Sequence, residues 1–235
     1  MNSTSARLLS GSVRARTDNV FASELPLSQS HAKRLALSRL QLPKDMEMIG
    51  GLHGRKPTQA DMHRLAELLE KEWGARHHEH KEYKEHLADI RLRFETMSAP
   101  TFVAYGSGGW PDAVLFPLRT TRTPANDAEM LGTAFWNTDF AEGTVFTVRK
   151  SMSDSEFSAG LEKRLIVEAF LPYARALAGV GEISNVFFYI WHLNGTFQSE
   201  QHKQEVQMHL SLGAIPARTF AGGRIEEMDY SHLLL

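Results

Sequence analysis

Apolar positions along this chain switch between two spacings, and the switches mark its elements. Ala32, Leu35, Ala36 and Leu40 recur at near-helical spacing, which predicts a short amphipathic helix over 30–40, before Pro43. Met62, Leu65, Leu68 and Leu69 form the buried stripe of a second helix. It is opened by Pro57-Thr58-Gln59-Ala60-Asp61, with Thr58 as N-cap and Asp61 three residues on, and closed by Glu72-Trp73. A heavily charged helical stretch then carries His77, His78, His80 and His86 to about Arg93. The period changes to strand-like over 101–105, and a turn over 106–109 leads to an antiparallel partner over 113–118. Residues 144–148 form another predicted strand, and a Ser-rich loop feeds a long helix over 158–178 that Gly179 and Gly181 end. The nearly continuous apolar run over 183–191 fits a strand buried on both faces. A polar helix is expected over 198–207. After it come a strand through Met208-His209-Leu210-Ser211-Leu212, closed by Gly213-Ala214, and a last strand over 229–235.

This order predicts an α/β domain of the α+β kind, with one central mixed, mostly antiparallel sheet flanked by helices. Residues 1–45 are expected to be a flexible or partly helical extension, and 46–235 the domain, entered through a glycine-rich connector over 48–56. Residues 1–17 hold Arg7, Arg14 and Arg16 among serines and threonines with no acidic residue, the composition of a targeting leader or a disordered arm.

Composition works chiefly by exclusion. A formal charge of -2 gives no basic excess for a nucleic-acid partner. The absence of cysteine removes disulfides, thiolate metal sites and a cysteine nucleophile, and fits a cytoplasmic location. The most apolar run, over 186–191, has strand length, far short of the roughly 20 residues that span a bilayer, so no membrane is expected. The histidine-rich stretch is interleaved with Lys81 and Lys84 and matches no H-E-x-x-H motif, so it predicts a solvated helix face and no metal. No G-x-S-x-G motif supports hydrolase chemistry.

Candidate chemistry concentrates near the C-terminus. His209 titrates near neutrality and can accept or donate a proton, and Arg224, fifteen positions on, can grip an oxyanion bidentately. The bland alternatives are a half-exposed strand histidine and a solvated turn arginine after Gly222-Gly223. Trp73 is either a wall for an apolar group or packing at a helix end. Glu226 and Glu227 are expected to face solvent.

With these elements in order, residues 57–235 resemble the GNAT acyltransferase fold, and more narrowly the GNAT-like domains that load starter units in polyketide synthases. Four stretches carry the resemblance: Pro57 to Asp61 running on to Leu69-Glu70-Lys71-Glu72-Trp73, Leu118-Arg119, His209 to Ala214, and Arg224 with Glu227. The resemblance implies an acyl-CoA co-substrate, acetyl-CoA or malonyl-CoA, with its pyrophosphate at the start of the long helix, at Gly160. It implies a thioester carbonyl held by backbone N–H groups of Thr147, Val148 and Arg149, His209 and Arg224 as the catalytic pair, and Trp73 and Trp191 against the acyl group. The acyl group would pass to a carrier-protein thiol, making an acyl carrier protein a partner, or to a small amine. Decarboxylation of a malonyl-type thioester is a sharper variant. Phe157 and Glu162 depart from the family's phosphate loop, and a carboxylate there repels a diphosphate unless it turns away. No tyrosine follows Asn194 at the amine N-acetyltransferase spacing, and the loading domains' threonine has no counterpart. An ordinary N-acetyltransferase and a silent GNAT fold used as a binding module therefore stand as alternatives.

Overall fold

The computed structural model describes residues 27–76, 82–131, 143–153, 160–191 and 200–235. Seven strands form one sheet: β1 (Met46–Ile49), β2 (Thr101–Tyr105), β3 (Pro111–Thr120), β4 (Val145–Ser153), β5 (Asn185–Trp191), β6 (Ile215–Phe220) and β7 (Ile225–Asp229). Their order is β1-β2-β3-β4-β5-β7-β6, and every neighbouring pair is antiparallel except β4 with β5. The expected mixed, mostly antiparallel sheet is therefore present. The glycine-rich connector begins as a strand: β1 pairs with β2, and the chain folds back so that Arg55 N–H donates to Met48 O and Gly50 N–H to Arg55 O.

The helices are α1 (Leu27–Ser38), α2 (Gln59–Arg76), α3 (Tyr83–Thr96), α4 (Asp127–Leu131), α5 over 161–178, and α6 (Glu200–Ser211). Within α5 the segment Leu165–Phe170 is a π turn, in which Leu171 N–H donates to Ile166 O, five residues back. Pro172 follows at once and has no N–H for a four-residue bond, so the widened turn sits where the regular ladder must already be broken.

Two layers cover the sheet. On the α5 face, Phe102, Phe146 and Phe188 pack around Phe170 with rings 5.6, 5.7 and 5.6 Å away, edge to face. On the other face α2 and α3 bury Leu65, Leu68, Leu69 and Ile90 against Val103, Val114 and Phe116. The inward stripe of α3 is His86, Ile90 and Arg93, spaced four and three residues apart. This corrects the expectation of a solvated histidine face: His86 is fully buried, because its turn lies on the stripe that meets the sheet. His77, His78 and His80 lie outside the described residues.

Two corrections fall at the C-terminus. The polar helix runs to Ser211 and carries His209, so the expected strand at 208–212 does not form. Gly213, with φ +89°, and Ala214 cap this helix: Ala214 N–H donates to His209 O and Gly213 N–H to Leu210 O, the pattern of a left-handed glycine cap. The last strand is β7, and Ser231–Leu234 beyond it is a 3₁₀ turn.

Thr58 caps α2 as expected. Asp61 N–H donates to Thr58 Oγ1 at 3.2 Å, and Thr58 N–H donates to Asp61 Oδ2 at 2.7 Å. Arg55 grips the same carboxylate at 2.6 and 2.8 Å. These bonds from Arg55, opposed by burial and helped by Thr58, hold the Asp61 carboxyl well below the usual carboxylate range. A depressed folded pKa gives stability that is fully present above the unfolded value of about 3.9 and is lost progressively as pH falls from there through the lower folded value. Asp61→Asn should therefore cost about 1–2 kcal/mol at pH 7 and progressively less below pH 4, read from urea unfolding at pH 7 and pH 3. An equal cost at both pH values would contradict the charged cap.

Candidate functional site

The parallel pair at the centre of the sheet is short. Val145, Phe146, Thr147 and Val148 pair with Asn185, Val186, Phe187 and Phe188, and there the ladder stops. Beyond Val148, β4 continues beside β3 to Ser153, whereas Tyr189, Ile190 and Trp191 of β5 pair with Glu227, Glu226 and Ile225 of β7. Two adjacent central strands thus part company, and their facing backbone edges lose each other as partners. The register of β3 against β4 slips at the same level: Phe116 pairs with Lys150 and Pro117 with Val148, which leaves Arg149 as the extra, bulged residue. Pro117 has no N–H to donate to a regular ladder, which makes this the natural place for a bulge. Of the residues expected to face a thioester, Thr147 and Val148 are the last of β4 to pair with β5, and Arg149 is the first beyond that ladder. The Arg149 side chain lies outside the described residues. Thr147 is buried, and its Oγ1 has no hydrogen-bond partner among the described residues.

At the start of α5, an added Cβ on Gly160 would meet nothing within 4 Å among the described residues. Phe157 lies outside the described residues. Glu162 does not project from the helix start: it is 7% exposed, and its carboxylate faces α6. One oxygen from each of Glu162 and Glu205 and one ring nitrogen of His209 all lie within 4.8 Å of one another. The carboxylate that the sequence set against a diphosphate is thereby withdrawn from the helix N-terminus, where free N–H groups favour an anion.

His209 is 1% exposed on α6, with its ring 5.2 Å from Phe188. Its Nδ1 shares a 2.6 Å hydrogen bond with the Tyr230 hydroxyl. Burial pushes the imidazole down to about 4, so it is neutral at physiological pH. Arg224 is exposed just past the turn Ala221–Gly223, and no hydrogen bond or ion pair among the described residues joins it to His209.

Alternation along β5 sends Phe188 to the α5 side and Phe187, Tyr189 and Trp191 to the other, where they meet Leu118, Met130, Phe220 and Ile225. Here the expectation for Glu227 is overturned: it is 2% exposed, because β7 turns it inward between β5 and β6. Tyr189 Oη donates to its Oε2 at 2.7 Å, and Arg218 grips both oxygens at 2.8 Å. Trp191 is half-buried in this cluster, and the Trp73 side chain lies outside the described residues.

Sequence reasoning missed Arg93. Its guanidinium donates to Thr101 Oγ1 at 2.9 Å and to Pro117 O at 2.8 Å, beside the bulge, and lies over the Phe116 ring. No carboxylate among the described residues pairs with it, and burial pushes it down to about 9. Its place on the His86, Ile90, Arg93 stripe was the available signal. The other missed group is Glu205, four residues before His209 and so one turn away on the same helix face.

No family model matches the chain, and no curated protein matches it. Among the solved structures that share its architecture are two, a decarboxylase and a loading domain. One is the GphF GNAT-like decarboxylase in complex with isobutyryl-CoA, at 16% identity and TM-score 0.52, covering 75% of this chain and 97% of that one. The other is the loading GNATL domain of CurA from Lyngbya majuscula, at 14% identity and TM-score 0.53, covering 75% of this chain and 96% of that one. The shared feature is the fold, and this chain has the GNAT fold.

The group in which Tyr189 and the exposed Arg218 hold the buried Glu227 carboxylate is testable by itself. Arg218→Ala leaves the buried Glu227 carboxylate with Tyr189 as its remaining partner in the group and should cost about 3–5 kcal/mol, against about 1–2 kcal/mol for Tyr189→Phe, both by urea unfolding. Near-equal costs would contradict the dominant role of the Arg218 fork.

Proposed function

We propose that this chain is an acyl-CoA-dependent acyltransferase. The observation that carries the reading is the parting of β4 from β5 after Val148 and Phe188, beside a bulge and an open helix start. In this reading the diphosphate of coenzyme A rests on the backbone N–H groups that begin α5 at Gly160. The pantetheine arm follows the unpaired edge of β4, and the thioester carbonyl is polarised by backbone donors of Thr147, Val148 and Arg149. The acyl group then reaches between the strands toward Leu118, Tyr189 and Trp191. An acceptor nucleophile attacks the carbonyl carbon, the carbon–sulfur bond breaks, and coenzyme A leaves as the thiolate.

The acceptor is a carrier-protein thiol or a small amine. We assign proton handling on the acyl side to Tyr189 and Glu227, and give His209, behind Phe188 on the opposite face of β5, a positioning role at the start of α5. The two solved structures of the same fold support a further variant, because one is a GNAT-like decarboxylase and the other a loading domain. In it a malonyl-type thioester loses carbon dioxide: the bond to the carboxyl carbon breaks, its electron pair passes into an enolate, and a proton is taken up at carbon. Arg93, a buried cation without a carboxylate partner among the described residues, is then better placed than exposed Arg224 to orient the departing group, and apolar walls favour loss of that group's charge.

Thermal unfolding with acetyl-CoA, malonyl-CoA, methylmalonyl-CoA and free coenzyme A, followed by mass spectrometry, tests this reading. A ligand at a hundred times its Kd adds about 2.7 kcal/mol, visible as a raised Tm. Gly160→Asp should abolish the shift while leaving the unliganded Tm equal or higher, since aspartate caps a helix well but repels a diphosphate. Acetyl-CoA formed from malonyl-CoA supports the decarboxylating variant, and a shift without that product excludes it. No shift with any thioester overturns the proposal in favour of a GNAT fold used for binding something else.

A further inference from the structure

The group formed by Glu162, Glu205 and His209 has the makings of a metal centre on the face of β5 opposite the acyl side. Its three side chains come from two elements that the fold fixes. Glu205 and His209 are one turn apart on α6, and Glu162 is the second residue of α5. One donor atom from each lies within 4.8 Å of the other two, a spread that closes onto a single ion with small rotamer changes.

The imidazole is the best-prepared of the three. The Tyr230 hydroxyl occupies Nδ1 at 2.6 Å, and the Phe188 ring packs against the imidazole at 5.2 Å, so both its orientation and the nitrogen left over are set. A histidine whose second nitrogen is held by an oxygen partner is the usual form of a metal-ligating imidazole, because the outer bond fixes its tautomer and plane. Lys163, the nearest basic residue in sequence, does not fill the space: its Nζ turns to Ser211 Oγ at 3.3 Å.

We propose that Glu162, Glu205 and His209 bind one divalent transition-metal ion, with Nε2 as the nitrogen ligand and water completing its coordination. Two carboxylates with one imidazole suit zinc or manganese, whereas magnesium and calcium favour sites built of oxygen alone. Joining the start of α5 to α6 through the ion would brace the helix end at Gly160.

The full chain, stripped with chelator, is titrated with Zn²⁺ and with Mn²⁺ by calorimetry, and the protein as purified is assayed for bound metal by mass spectrometry. One equivalent is expected, with a Tm raised by the metal and lowered again by chelator. Glu205→Gln, on the half-exposed helix face, should keep the metal-free Tm and lose affinity at least tenfold. Glu162→Gln should do the same, and Tyr230→Phe, which touches only the outer bond, should weaken binding about tenfold. No uptake by the unaltered protein, or uptake that survives both glutamate replacements, overturns the proposal. None of these readings uses a thioester, so its failure is distinct from failure of the acyltransferase reading.

Discussion

Four residue pairs of parallel ladder between β4 and β5 govern the architecture. Parallel neighbours cannot be joined by a hairpin, so the chain between them must cross over one face of the sheet, and α5 is that crossover. Its start thereby lies at the C-terminal end of β4, beyond the level at which β4 and β5 cease to pair. The helix terminus, the separated strand edges and the bulge opposite Pro117 are brought together by this one connection. The aromatic packing of Phe170 against Phe102, Phe146 and Phe188 keeps the crossover seated.

The two faces of the sheet divide the polar groups by their surroundings. On the α5 side, His209 is neutral and held by Tyr230. On the α2 and α3 side, Arg93 remains a cation among a hydroxyl, a carbonyl and a ring, while Glu227 is satisfied by Arg218 and Tyr189. A buried charge is costly without partners, and the three solutions differ: loss of charge, neutral dipoles, and a bidentate ion pair.

Much of the architecture was legible in the sequence because it rests on local signals. The 101–105 strand, the Thr58 cap and the helix ended by Gly179 all follow from spacing or a capping residue, and the structure agrees. The error at His209 shows where such signals fail. Met208, Leu210 and Leu212 alternate with polar residues as a strand would, yet tertiary contacts continue the helix, and Gly213-Ala214 is equally good chemistry for ending either element. The burial of Glu227 and His86 was illegible for another reason: each depends on a partner far along the chain or on which turn of a helix meets the sheet. The bulge at Arg149 was not anticipated, though Pro117 in the facing strand was its signal.

The π turn in α5 gives that helix two phases. A regular helix advances each residue by about 100°, so one extra residue within a turn rotates everything on one side of it by that order relative to the other. Beyond the turn, Tyr173, Ala174 and Leu177 keep the stripe that faces the sheet; before it, Glu162 faces α6. The opening turn of α5 is thus free to evolve its own inward side chains, including charged ones, without disturbing the register of the hydrophobic half that holds the crossover in place.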